Sequence, residues 1–90
     1  MTRKEFIKEL KELGFVQLKY LNNTAPKYYY IYLQYIQVSV VFSGKKNKTI
    51  GIYVRQKTDL DYMHNVLLKK TNKVDERFLR TIKKLVNFFA

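Results

Sequence analysis

The chain has 90 residues, enough for one domain (residues 1–90) with a modest core, because a chain of this length buries only about 60–65% of its unfolded surface. It has no cysteine and one histidine, which excludes disulfides, thiolate metal sites and histidine clusters for zinc. Its 18 basic and 7 acidic residues give a net charge of +11, which favours a polyanionic partner.

The N-terminal segment is predicted to form a helix over about residues 3–13. Thr2 and Glu5 have the spacing of a capping box, and Phe6 and Leu10 recur at helical spacing. The segment has charges throughout and no continuous apolar run, so we expect no signal peptide and a cytoplasmic protein.

Three antiparallel strands in a meander are predicted next, over residues 15–21, 27–42 and 49–57. The middle segment, KYYYIYLQYIQVSVVF, is too short and too polar to cross a bilayer as a helix, and it is rich in aromatic and β-branched residues. It is also much longer than the usual strand of about 5 or 6 residues. We therefore expect this strand to be bent, bulged or broken. Its aliphatic residues change parity near Gln34 and Tyr35, which favours a bulge at these two residues.

Two helices are predicted after the strands, over about residues 59–70 and from Val74 onward, from the helical spacing of their apolar residues. The element order is then α-β-β-β-α-α. Helices packed on the aliphatic face of the sheet make a two-layer α+β fold.

The order α-β-β-β-α over about residues 3–70 is similar to that of double-stranded-RNA-binding domains and of small toxin ribonucleases of the HicA type. The resemblance is one of element order. The HicA-type pattern has a histidine in the sheet, whereas the single histidine here, His64, falls in the predicted second helix. No residue role is carried over from either family.

Catalytic and metal sites are not predicted. His64 falls on the apolar side of its predicted helix, which favours a structural role. Asp59 and Asp61 lie at the start of that helix, where helix capping explains them without a metal. We therefore expect no enzymatic activity and no cofactor, and a small ribonuclease ranks third among the functions considered.

The predicted sheet is purely basic, because no aspartate or glutamate occurs between Leu13 and Thr58. An AT-rich genome would also raise the lysine content, so the position of the charges is better evidence than their total. If the aliphatic side chains face the helices, basic and aromatic groups share the other face, where they suit phosphates and unpaired bases. The nucleic-acid-binding residues predicted there and in the adjoining turns are Lys19, Tyr30, Tyr32, Lys45, Lys46, Lys48, Tyr53 and Arg55.

A second basic surface is predicted on the last helix. Lys73, Arg77, Arg80 and Lys84 have spacings of four, three and four residues, so they form one stripe beside the apolar side of the helix. A phosphate backbone fits along such a stripe, although a solvated helix face is the common alternative.

These patterns favour a non-enzymatic binding protein that engages DNA, RNA or a nucleic-acid-processing protein, with no membrane or small-molecule partner. The alternative is a phage- or mobile-element-type inhibitor, similar to an anti-CRISPR, that blocks a host or defence enzyme by covering its surface. A homodimer through an open strand edge is left open. The residues predicted to contact a protein partner are Tyr30, Tyr32, Tyr35, Phe88 and Phe89.

Overall fold

The computed structural model describes residues 1–18, 27–56 and 65–90. Its strands form one antiparallel sheet in the order β1-β2-β3-β4-β5, and both helices lie on the same face of it. The α+β class is therefore confirmed, with five strands instead of three. None of the helices in the described ranges is long and apolar enough to span a membrane. The elements are α1 (Arg3–Glu12), β1 (Val16–Leu18), β2 (Lys27–Tyr32), β3 (Ile36–Ser43), β4 (Thr49–Gln56), β5 (Val66–Thr71) and α2 (Glu76–Phe89).

The core lies between the two helices and the sheet, and aromatic rings join its layers. Phe6 of α1 lies edge-on to Phe42 of β3 at a centroid distance of 6.0 Å and stacks on Phe78 of α2 at 6.3 Å. Tyr29 of β2 meets Phe42 edge-on at 5.7 Å. Burial raises the pKa of the Tyr29 hydroxyl, and the charge of Arg3 partly opposes this shift. Loss of one such buried ring costs about 3–5 kcal/mol.

Each helix begins directly after a residue whose side chain caps it, the second two residues later than predicted. The hydroxyl of Thr2 accepts a hydrogen bond from the Glu5 amide, and the Glu5 carboxylate accepts one from the Thr2 amide, so the predicted capping box is confirmed. Asp75 caps α2 by accepting from the Phe78 amide at 2.8 Å. The second helix thus begins at Glu76, and Lys73 lies before it.

The predicted middle strand is two strands, because the chain reverses at Gln34 and Tyr35. The amide of Leu33 donates to the carbonyl of Ile36 at 2.8 Å and closes a two-residue turn between β2 and β3. The position of the defect was predicted from the parity change, but a bulge was the wrong interpretation. A reversal also puts both aliphatic sets on one face, and the turn carries no glycine, proline or asparagine that would have signalled it.

The predicted helix over residues 59–70 is wrong at its C-terminal end, where Val66–Thr71 forms β5 and pairs with β4. Residues 57–64, with Asp59, Asp61 and His64, lie outside the described part of the chain. The apolar run at the start of β5 suits either a helix or a strand, and the edge of β4 decides between them. The α-β-β-β-α order does not hold.

The predicted facing of the first strand is reversed. Gln17 pairs with Tyr29, which faces the helices, so Val16 and Leu18 lie on the opposite face of the sheet and are exposed. The alternation of residues 15–21 in the sequence separates two sets of side chains, but the pairing of β1 with β2 decides which set faces the helices.

Candidate functional site

The face of the sheet turned away from the helices, called the open face below, carries the candidate site. One row of paired residues crosses it, from Tyr30 on β2 through Ser39 on β3 and Tyr53 on β4 to Leu67 on β5. Side chains alternate between the faces of a strand, so residues two positions away in each of β2, β3 and β4 share this face. No described helix packs against it.

A concave site of about 500 Å³ lies on the open face, at the end of the sheet where β2 ends and β3 begins. Its volume is within the range of about 300–1,000 Å³ typical of ligand sites. The structure therefore brings the predicted residues Tyr30, Tyr32 and Arg55 together in one place. The lining residues are Leu18, Tyr28, Tyr30, Tyr32, Gln37, Ser39, Arg55 and Asn65.

Tyrosine rings from β2 line the concave site. Tyr28, Tyr30 and Tyr32 point to the same side because they are spaced two residues apart. The rings of Tyr30 and Tyr32 meet edge-on at a centroid distance of 5.5 Å, with an interplanar angle of 70°. Such an edge-to-face pair holds both rings in place and leaves ring surface facing the cavity.

Polar groups from β3, from β4 and from Asn65, which directly precedes β5, complete the lining. The Nε of Arg55 donates a hydrogen bond to the Oε1 of Gln37, its pairing partner on β3. Gln37 and Ser39 are buried. The Oδ1 of Asn65 is buried and accepts no hydrogen bond among the described residues. The site thus joins one guanidinium, two side-chain amides and a serine hydroxyl to an aromatic wall, a combination suited to a planar ligand with a negative charge.

Tyr53 lies on the open face beside the concave site, but does not line it. Its ring covers Gly51: a Cβ on this glycine would be 2.8 Å from the ring and 3.4 Å from the Leu67 side chain. The glycine therefore lets the Tyr53 ring lie close to the backbone of its own strand.

Three lysines cluster at the turn between β3 and β4, called the lysine tip below: Lys45, Lys46 and Lys48, all exposed. Lys46 and Asn47 adopt left-handed φ angles of 56° and 52°. For Lys46 this conformation costs about 1–2 kcal/mol, whereas asparagine adopts it more readily. The tip lies at the far end of β3 from Gln37, roughly 20 Å away at about 3.3 Å per residue.

Negative charge is absent from the described part of the sheet, since none of the residues of β1 to β5 is acidic. Positive charges lie around the open face. Arg55 is at one end of it, the lysine tip is at the other end, and Lys70 of β5 pairs with Gly51 of β4. The described strands thus carry basic and no acidic side chains, as the sequence indicated. Lys19 lies outside the described residues.

The helix stripe faces the other way. Arg77, Arg80 and Lys84 are exposed and lie on the side of α2 opposite Phe78 and Ile82, which are buried against the sheet. The stripe and the open face are thus on opposite sides of the two-layer domain. Lys73 precedes the helix and does not continue the stripe along it. One straight ligand cannot contact both surfaces.

The residues predicted to contact a protein are dispersed. Tyr35, 72% exposed, lies in the β2–β3 turn, and Phe88, 80% exposed, lies near the end of α2. Phe89 is half-buried and packs against the core, with its ring 4.9 Å from that of Phe88. Tyr30 and Tyr32 belong to the concave site. The structure does not bring all five into one surface.

Sequence reasoning missed some of the lining residues, although a signal existed for several of them. Tyr28 has the same parity as Tyr30, and Gln37 and Ser39 alternate with the aliphatic residues of β3. Asn65 had no such signal, because its position depends on β5 being a strand.

Among the described residues, no group of three or more histidine, cysteine, aspartate or glutamate side chains is arranged to hold a metal. Comparison of the whole chain with protein-family models, curated proteins and solved structures finds no match. The case for a function therefore rests on the site itself.

Proposed function

We propose that this protein is a non-enzymatic binding protein for single-stranded nucleic acid, DNA or RNA, which lies along the open face of the sheet. The observation that carries the proposal is the concave site, which three tyrosines of one strand line together with Arg55. Ring faces stack on unpaired bases, at about 1–3 kcal/mol per base, and a guanidinium pairs with a phosphate.

The charge distribution also supports binding of a nucleic-acid strand along the open face. A nucleic-acid strand whose bases stack on the tyrosines would place its next phosphates over the open face, where none of the described residues is acidic. It would reach the lysine tip roughly 20 Å away. A duplex hides its base faces in the stack, so the tyrosine rings have no partner in it. The proposal thus favours single strands over duplexes.

The test is a titration of labelled single-stranded and duplex oligonucleotides, DNA and RNA, of equal length across a salt series. We expect single strands to bind more tightly and log Kd to vary with log salt with a slope of about 3 in magnitude, for four phosphate contacts at about 0.7 each. Equal affinity for both forms, with all binding lost at physiological salt, would show that only net charge is at work and would overturn the proposal.

A second candidate function is inhibition of a nucleic-acid-processing or defence enzyme by covering its surface. Two exposed aromatic residues outside the concave site, Tyr35 and Phe88, favour it, because aromatic side chains are common anchors in protein interfaces. Alanine at these two positions would abolish such inhibition and leave oligonucleotide binding unchanged.

A further inference from the structure

The outer edge of β5 is a further surface with the properties of a binding site. β5 pairs with β4 on one side, and no described strand pairs with its other side. Val66, Leu67 and Leu68 are 57%, 45% and 52% exposed. An edge strand with unpaired amides and carbonyls is a template for another strand.

An apolar groove adjoins this edge on the helix side of the sheet. Its volume is about 400 Å³, and it lies between the start of β5 and the C-terminal end of α2. Val66 and Leu68 form one wall and Phe89 lies across from them. An added strand would present every second side chain toward the helix side, so the groove is placed to receive apolar side chains at alternate positions. Its other lining residues are Ile36, Val54, Arg55 and Gln56.

The charges at the edge decide which strand fits. Lys69 and Lys70 are exposed in the second half of β5, and neither β4 nor β5 contains a carboxylate. Two copies of β5 paired edge to edge would bring four lysines and two chains of charge +11 together. Like charges across paired strands are destabilising, so the edge suits an acidic partner better than a second copy.

We propose that the β5 edge and its groove bind an extended, acidic segment of a partner protein, in which apolar and acidic residues alternate. The segment pairs with β5 as a sixth strand. Its apolar side chains enter the groove beside Leu68 and Phe89, and its carboxylates, on the opposite face of the added strand, meet Lys70, which pairs with Gly51. The groove and the concave site share Arg55 as a lining residue. The apolar side chains of the segment and the tyrosines of β2 lie on opposite sides of the sheet, so both sites can be occupied together.

The probe is a labelled eight-residue peptide of alternating valine and glutamate, titrated by fluorescence anisotropy into the full chain. Two matched peptides accompany it, one with N-methylated amides at alternate positions and one with lysine in place of glutamate. We expect the acidic peptide to bind, N-methylation to weaken binding at least tenfold and the lysine peptide not to bind. Amide exchange of Val66–Thr71 should slow in the complex.

Variants of the protein locate the site. Phe89→Ala and Leu68→Ala should each weaken peptide binding about five- to tenfold, whereas the neighbouring Phe88→Ala, whose side chain does not line the groove, should change it less than twofold. Because Leu68 is half exposed, we expect Leu68→Ala to fold normally. It therefore tests the groove even if Phe89→Ala fails to fold. A saturating single-stranded oligonucleotide should leave peptide binding unchanged, which separates this proposal from that for the open face.

Three results would overturn the inference. Equal binding of the N-methylated peptide would show attraction by charge alone. Competition by the oligonucleotide would place the peptide on the open face. Self-association in sedimentation equilibrium that Leu68→Lys abolishes, without peptide binding, would assign the edge to a second copy of the chain.

Discussion

The open face of the sheet and the outer side of α2 both carry positive charge, but they differ in what surrounds it. Arg77, Arg80 and Lys84 project from a convex helix, where a polyanion meets cations alone. Arg55 lies in a concave site lined by tyrosines, where a ligand meets a cation and ring faces together. Charge by itself attracts any polyanion and is screened by salt, whereas the concave site can select among them.

The largest expected effect comes from the tyrosine wall. The double variant Tyr30→Ala/Tyr32→Ala removes two stacking surfaces, so we expect affinity for a single-stranded oligonucleotide to fall about 30-fold or more. The matched control is Tyr35→Ala, an exposed tyrosine outside the concave site, with less than a twofold change. Similar losses in both variants, measured by anisotropy, would remove the distinction between the site and the rest of the surface.

The next comparison removes equal charge from the two sides. Lys45, Lys46 and Lys48 replaced by serine should flatten the salt dependence of oligonucleotide binding by about 2 in log-log slope. Serine at Arg77, Arg80 and Lys84 also removes three charges but should alter the slope by much less than this. If the helix variant flattens the slope as much, nucleic acid contacts α2 and the stripe is a second site.

The packing of the open face gives a smaller, purely structural effect. In Gly51→Ala the new methyl group meets the Tyr53 ring, so we expect a loss of about 1–3 kcal/mol in the free energy of unfolding. Asn87→Ala, on the exposed side of α2, should stay within about 0.5 kcal/mol. In a Tyr53→Ala background the cost of Gly51→Ala should shrink, and urea titrations of the four proteins measure this coupling.

The smallest effect concerns Tyr29, on the helix side of β2. Its folded-state pKa is raised, so its contribution to stability is complete below the unfolded pKa of about 10 and is lost as pH rises through the folded value. Above pH 10, the free energy of unfolding should therefore fall more steeply in the wild type than in Tyr29→Phe. If the free energy of unfolding falls equally steeply with pH in the two proteins, burial does not raise the pKa of Tyr29.

Prediction from sequence succeeded where a signal is local. The capping box of Thr2 and Glu5 and the strand over residues 49–57 were both predicted, because their signals lie within a few residues. Prediction failed at Val66–Thr71, where the apolar run is compatible with either a helix or a strand. Of the concave site, Tyr30, Tyr32 and Arg55 were named in advance, whereas their grouping with Asn65 was not.

The sequence alone determined the two terminal helices, the strong β4 strand, the lack of acidic residues across the sheet and the break at Gln34 and Tyr35. These features follow from capping residues, from periodicity and from composition, which can be read from residues close together in the sequence. Only the tertiary structure decided that this break is a hairpin turn, that β5 is a strand and that the two basic surfaces lie on opposite sides. Strand pairing and the choice of buried face join residues far apart in the chain, and their free energy exists only once the partner strand is in place.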